Sequence, residues 1–95
     1  MSFSLFYHPE VAHDIKQLGK EVKKRIEKAV LFKLIQDPYR FGKPLQYSLK
    51  GARTMRIGDY RVVYVLKGEE IWVLAIIHRK EDYHGLEKRL SWLPR

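Results

Sequence analysis

The chain has 95 residues, 45% of them hydrophobic, which is enough for one small domain spanning residues 1–95 and not for two. Nineteen Lys and Arg against eleven Asp and Glu give a net charge of +8, which excludes an acidic disordered tail and makes a polyanion a natural partner. The absence of cysteine excludes a disulfide scaffold, a Cys-based zinc site and thiol chemistry.

Phe3 to Tyr7 is a short apolar and aromatic run that predicts a first strand. His8-Pro9-Glu10 reads as a helix start, with Pro in the first turn and an acid near the positive end. Val11, Ile15 and Leu18 then recur at helical spacing until Gly19. A second helix is expected from about Lys20 to Gln36, with Val22, Ile26, Ala29, Val30 and Leu34 on one side and Glu21 placed to pair with Arg25. Asp37-Pro38 is expected to end it, because Pro38 has no N–H for the helical ladder. Residues 38–51 read as a loop with at most a short edge segment.

From Arg53 the period changes to two. Arg53 to Ile57, Tyr60 to Leu66 and Ile71 to His78 read as strands, and Gly58-Asp59 as a two-residue hairpin turn of type II′. Leu86, Leu90 and Leu93 predict a short C-terminal helix. The order β-α-α-β-β-β-α is an α+β class: a single layered domain with an N-terminal strand, an αα-hairpin, antiparallel hairpins and a final helix. No stretch approaches the roughly 18 apolar residues that span a bilayer. The first fifteen residues, with Glu10 and Asp14, do not form a secretory signal. A soluble cytoplasmic protein with no membrane partner is expected.

The kind of base differs between the halves. Residues 1–50 carry eight Lys and two Arg, whereas residues 51–95 carry six Arg and three Lys. Arginine suits two-pronged phosphate contact. With Gly58 and Asp59 as the turn, Arg56 faces Arg61 across the ladder. With a symmetric Lys67–Glu70 turn, Arg61 is expected opposite Ile77, and Arg79 one alternation further on. Arg56, Arg61 and Arg79 then share one face at one end of the sheet. Like charges directly opposite are destabilising. The cluster therefore needs an internal acid such as Asp59 or Glu81, or a bound phosphate backbone; the plainer alternative is that these arginines cap the sheet edge.

Among the other candidates, His8 and His13 lack a third metal ligand, and no metal or cofactor is expected. His78 either caps the core strand or joins a site beside Arg79. A neutral His84 is suited to taking a proton from a ribose 2′-hydroxyl, and Tyr83 or a charged His84 to meeting the leaving 5′-oxygen or the phosphate. No carboxylate pair stands out for two-metal nuclease work, and there is no phosphate-binding glycine loop and no serine nucleophile motif. Tyr47, Tyr60, Tyr64 and Trp72 include possible base-stacking rings, with Tyr64 and Trp72 better read as core.

Several short motifs occur in a fixed order: Tyr7-His8-Pro9-Glu10-Val11, Gly42-Lys43-Pro44-Leu45, Leu49-Lys50-Gly51, Met55-Arg56-Ile57-Gly58-Asp59-Tyr60-Arg61-Val62-Val63-Tyr64, and Ile77-His78-Arg79-Lys80-Glu81-Asp82-Tyr83. Together they resemble the RelE/ParE superfamily of bacterial and archaeal toxins, RelE-type mRNA interferases most of all. The resemblance implies a toxin of a type II toxin–antitoxin pair with a shape similar to a small microbial ribonuclease. It implies cleavage of mRNA in the ribosomal A site by in-line attack of the 2′-hydroxyl, giving a 2′,3′-cyclic phosphate and stopping translation. It also implies a cognate antitoxin as partner, with DNA contacted only through that antitoxin.

By position, the resemblance assigns Arg61 to the scissile phosphate, Arg79 to the transition state, Arg56 to the same groove and Tyr83 to the 2′-hydroxyl, with His84 as a further catalytic candidate. The sequence departs from the best-studied RelE-type enzyme on the strand before the hairpin turn: that enzyme has two lysines there, whereas this chain has Ala52, Arg53, Thr54 and Met55, with only Arg53 or Lys50 to stand in. Arg53 and Lys50, with His78 and Lys80, are the RNA-binding candidates. The ParE branch, which shares the fold and poisons DNA gyrase by protein binding, is the alternative, as is an inactive member kept for its partner interface.

Overall fold

A computed structural model of the chain describes residues 3–45, 49 and 51–94. Strand β1 (Ser4–Tyr7) leads into helix α1 (Val11–Lys16) and helix α2 (Lys20–Ala29). A single helical turn, α3 (Pro38–Phe41), precedes β2 (Lys43–Pro44), β3 (Ala52–Ile57), β4 (Tyr60–Lys67), β5 (Glu70–His78) and α4 (Leu86–Trp92). The five strands form one sheet in the order β1-β5-β4-β3-β2; β1 runs parallel to β5, and the other pairs are antiparallel.

The sheet is covered on both sides. Ile26, Val30 and Leu34 of the helical hairpin pack with Val62, Tyr64 and Val73 on one face. Leu86 and Leu93 of the C-terminal segment pack with Val63, Val65, Ala75 and Ile77 on the other. Apart from Leu74 and Ala75, which both face the C-terminal side, residues along β4 and β5 alternate between the two faces.

Three expectations need correcting. The second helix does not run uniformly to Gln36: after Ala29 its hydrogen bonding widens to a π-helical turn over Val30–Leu34, which keeps Val30 and Leu34 buried while Phe32 stays exposed. Pro38 does not only end a helix. It occupies the first position of α3, where a missing N–H costs nothing, and Asp37 Oδ1 caps the turn by accepting from Arg40 N–H at 3.2 Å. Among the described residues Glu21 makes no ion pair with Arg25, whose guanidinium lies instead against Gly58.

The hairpin of β3 and β4 has the expected register, with Arg56 opposite Arg61 and Ile57 opposite Tyr60. Gly58 has φ +58° and Asp59 stays at negative φ, the pattern of a type II′ turn. The next hairpin is less simple. Lys67 pairs with Glu70, so the turn is symmetric, but symmetry by itself would set Arg61 opposite Ile76. The expected pairing with Ile77 is present because of a bulge: Tyr64 pairs with Val73 and Val63 with Ala75, leaving Leu74 unpaired. That one extra residue shifts the rest of β5 by one alternation.

Tyr64 ties the irregular segment to the sheet. It is fully buried, and its hydroxyl donates to the Pro38 carbonyl at 2.6 Å. A Cβ on Gly42 would lie 1.7 Å from that hydroxyl oxygen, so only glycine fits there. Gly42→Ala is expected to destabilise the fold by about 1–3 kcal/mol through overpacking. In a Tyr64→Phe background, where the oxygen is gone, the penalty should shrink, as thermal unfolding of the four proteins would reveal.

His8 is buried, its Nδ1 accepts from Glu10 N–H at 3.0 Å, and its ring meets the edge of Trp92 at 4.8 Å. Burial, reinforced by the Arg89 charge, holds its pKa below the ordinary 6.5. The unfolded chain therefore binds this proton more readily than the folded one. The stabilisation is complete above pH 6.5 and is lost as the pH falls from there through the folded value. His8→Gln should flatten that acid-side slope in denaturant titrations at pH 7.5 and pH 5.

Candidate active site

At the end of the sheet where β3 turns into β4 and β5 ends, three arginines gather. Arg56 and Arg61 are direct cross-strand neighbours, and Arg61 is also opposite Ile77. Alternation past His78 turns Arg79 to the same face. Its backbone N–H donates to the Asp59 carbonyl at 2.7 Å, which extends the ladder one residue beyond β5.

Each guanidinium has a different local partner. Arg56 Nε donates to the Gly58 carbonyl at 3.1 Å. Arg61 Nη1 donates to the Tyr83 hydroxyl at 3.0 Å, with its central carbon 6.0 Å from the Tyr83 ring centroid. Arg79 Nε lies 3.3 Å from Asp59 Oδ1, with the two side chains 49% and 65% exposed. An ion pair that wet contributes under about 1 kcal/mol, so a phosphate can displace the carboxylate. Among the described residues Asp59 is the one carboxylate paired with this trio. Glu81, the other acid considered, instead accepts from His78 N–H at 3.2 Å.

Tyr83 is half-buried against the α4-side cluster, so its ring is held while its hydroxyl meets Arg61. His84, next in sequence, is exposed, and its N–H donates to Asp82 Oδ1 at 2.9 Å. Lys80 is exposed in the turn after β5, with its N–H donating to His78 Nδ1 at 3.1 Å. Arg56, Arg61, Arg79 and Tyr83 thus meet at one end of the sheet, and Lys80 and His84 are exposed beside Arg79 and Tyr83 in the chain.

Two candidates do not join them. His78 falls on the helix-hairpin face, where its ring meets Tyr60 edge-on at 5.2 Å and lines a small cleft with Asp14 and Gln17. Arg53 also lies on that face, opposite Tyr64. Its Nη2 donates to the carbonyls of Tyr39 at 3.0 Å and Gly42 at 2.9 Å, and its guanidinium carbon lies 5.4 Å from the Tyr39 ring centroid. Arg53 thereby fastens α3 and the entry to β2. Lys50 and Tyr47 lie outside the described residues.

Of the stacking candidates, Tyr64 is core and Trp72 is half-buried, stacked on Phe6 at 4.6 Å and bonded through Nε1 to Glu70 Oε1 at 3.0 Å. Trp92 meets Trp72 edge-on at 6.0 Å and so helps dock α4. His8 and His13 are bonded locally, to Glu10 N–H and to the Gln17 amide. Arg89 pairs with Asp14, and nothing in its local sequence signals that distant acid.

Residues 5–83 match the family model described as the ParE toxin of type II toxin–antitoxin system, parDE. The chain is 32% identical over 74 residues to Toxin RelE of Mycobacterium tuberculosis, covering 76% of each protein, and 26% identical over 85 residues to Toxin RelG of the same organism, covering 87% of this chain and 98% of that one. The toxin–antitoxin complex RelBE2 of M. tuberculosis superposes with a TM-score of 0.78 at 23% identity, over 83% of this chain and 100% of the matched one. A mutant of the E. coli toxin RelE in the free state superposes with a TM-score of 0.74 at 15% identity, over 98% and 100%. This chain belongs to the RelE/ParE superfamily of type II toxin–antitoxin toxins.

Because Arg53 serves the fold, Arg53→Met should lower stability by about 1.5–3 kcal/mol, the usual worth of hydrogen bonds made by a charged group. Denaturant unfolding of the native and variant proteins measures that loss.

Proposed function

We propose that this toxin is an endoribonuclease that cuts mRNA in the ribosomal A site without needing a metal ion. The observation that carries the reading is the Arg61–Tyr83 contact on a rim shared with Arg56 and Arg79. The relative named Toxin RelE, at 32% identity, supports it.

In this reading the scissile phosphate enters beside Arg61, and Arg79 leaves Asp59 to meet a second non-bridging oxygen. The two guanidiniums then face the oxygens on which negative charge builds as the phosphorus becomes five-coordinate. Tyr83, its hydroxyl oxygen held by Arg61, orients the attacking 2′-hydroxyl. The 2′-oxygen forms a bond to phosphorus while the bond to the 5′-oxygen breaks in line. The products are a 2′,3′-cyclic phosphate and a free 5′-hydroxyl. The imidazole of His84 is the candidate to take the first proton or to supply the second. Arg56 and Lys80 contact phosphates to either side and fix the register of the strand.

The partner is a cognate antitoxin, a reading supported by solved relatives described as toxin–antitoxin complexes from M. tuberculosis, E. coli and Pyrococcus horikoshii. The match to the ParE toxin model favours one other reading, poisoning of DNA gyrase by protein binding.

Expression of the chain in cells, followed by mapping of transcript 5′ ends, separates the two. Cuts inside translated codons are expected, with cleavage falling about 100-fold in Arg61→Ala and in Arg79→Ala, the usual loss on removing one donor to a transition-state oxyanion. Intact mRNA together with a supercoiling defect would establish the gyrase reading instead.

A further inference from the structure

Arg89 and Asp14 are far apart in sequence and lie outside the arginine rim. Their ion pair is largely buried, with the side chains 18% and 11% exposed. Arg89 Nη1 donates to Asp14 Oδ2 at 2.7 Å and Nη2 to Oδ1 at 3.1 Å, a two-pronged contact. The same Nη1 donates to the Leu74 carbonyl at 3.0 Å, at the residue the bulge leaves unpaired. Asp14 Oδ2 in turn accepts from Ile76 N–H at 3.1 Å. Strand β1 pairs with β5 only as far as Val73. Beyond that point Asp14 and Arg89 satisfy backbone groups of β5 that β1 no longer covers.

The clasp joins α4 to α1 and to β5 at once. Helix α4 has seven residues, too few to be stable alone. Leu86, Leu90 and Leu93 give it adhesion, but apolar burial is not directional. A forked guanidinium on a carboxylate is directional, and it fixes where the helix sits along the sheet. Tyr83 is coupled closely to that placement: Leu86 N–H donates to the Tyr83 carbonyl at 3.2 Å, and its ring packs in the same cluster as the α4 leucines.

We propose that Arg89 is a positioning residue for the nuclease site: its clasp on Asp14 and on the bulge carbonyl seats α4 so that the Tyr83 hydroxyl reaches Arg61. This deepens the nuclease reading and rests on the role given there to Tyr83.

The test is a double-mutant cycle on mRNA cleavage by programmed ribosomes. Arg89→Met keeps the length of the stem and removes both prongs. It should lower cleavage at least about tenfold in the native background and less than about twofold in a Tyr83→Phe background, because the effect passes through the hydroxyl. Arg89→Lys, which keeps one prong, should recover part of the loss. Val30→Ala, a core change on the opposite face, should lower stability and keep cleavage within about twofold at temperatures where the protein is folded.

A readout free of activity runs alongside. In Arg89→Met the amides of residues 86–93 should lose protection from hydrogen exchange at least about tenfold while those of β4 keep theirs, and the nuclear Overhauser contact between the Tyr83 ring and the Arg61 side chain should weaken. Cleavage losses that multiply in the Tyr83→Phe background, or a Tyr83–Arg61 contact that persists in Arg89→Met, would overturn the proposal. A native protein that does not cleave would overturn the nuclease reading alone, since the exchange and contact measurements still judge the clasp.

Discussion

Leu74 has no partner on β4, and both the arginine rim and the seating of α4 follow from that. Side chains alternate along a strand, so one unpaired residue turns every later residue to the opposite face. With an unbroken register Arg61 would stand opposite Ile76, and continued alternation would bring Lys80, not Arg79, to its face. The bulge brings Ile77 beside Arg61 and carries Arg79 round with it. It also leaves the Leu74 carbonyl without a strand partner, and Arg89 takes that carbonyl. Leu74 and Ala75 both pack into the α4-side cluster, so the hydrophobic contacts that hold the last helix also hold the bulge.

The five arginines from Arg53 to Arg89 divide by environment. Arg53 spends its donors on two backbone carbonyls, and Arg89 on a buried carboxylate and one carbonyl. Truncating Arg89 leaves the Asp14 carboxylate and the Leu74 carbonyl unsatisfied inside the protein, and truncating Arg53 frees the carbonyls of Tyr39 and Gly42. Arg56, Arg61 and Arg79 are met by a carbonyl, a phenol and one exposed carboxylate. That arrangement leaves most of their positive charge uncompensated, with Arg56 and Arg79 exposed and Arg61 half-buried, on a chain already at +8. Cross-strand repulsion between Arg56 and Arg61 is a cost to the free protein, which an anion bound between them would relieve.

Much of the fold was legible because its determinants are local. Gly58-Asp59 fixes one hairpin, and the Leu spacing marks α4. The π-helical turn over Val30–Leu34 was not legible, because a wide turn and a regular one bury nearly the same residues. Asp37-Pro38 was read as a stop when it is also a start, since a capping Asp before Pro serves both ends. In the site, the Arg56–Arg61 pairing follows from the turn alone. The Ile77 pairing was reached without the bulge that produces it, and a continuous apolar run such as Ile71 to Ile77 carries no polar alternation to mark where the register slips. Arg53 is a site candidate through the family's strand lysines and His78 through its place beside Arg79; facing and backbone partners, which depend on tertiary packing, separate both from the rim.

The most direct measurement is a structure of this toxin on a ribosome whose A-site codon carries 2′-O-methyl groups, so that the strand binds but cannot be cut. The account predicts a phosphate within hydrogen-bond distance of both Arg61 and Arg79, the Arg79–Asp59 contact opened, and the Tyr83 hydroxyl beside the blocked 2′-oxygen. A phosphate held on the opposite face by Arg53 or His78, or an Arg79–Asp59 pair still closed with RNA elsewhere, would contradict it.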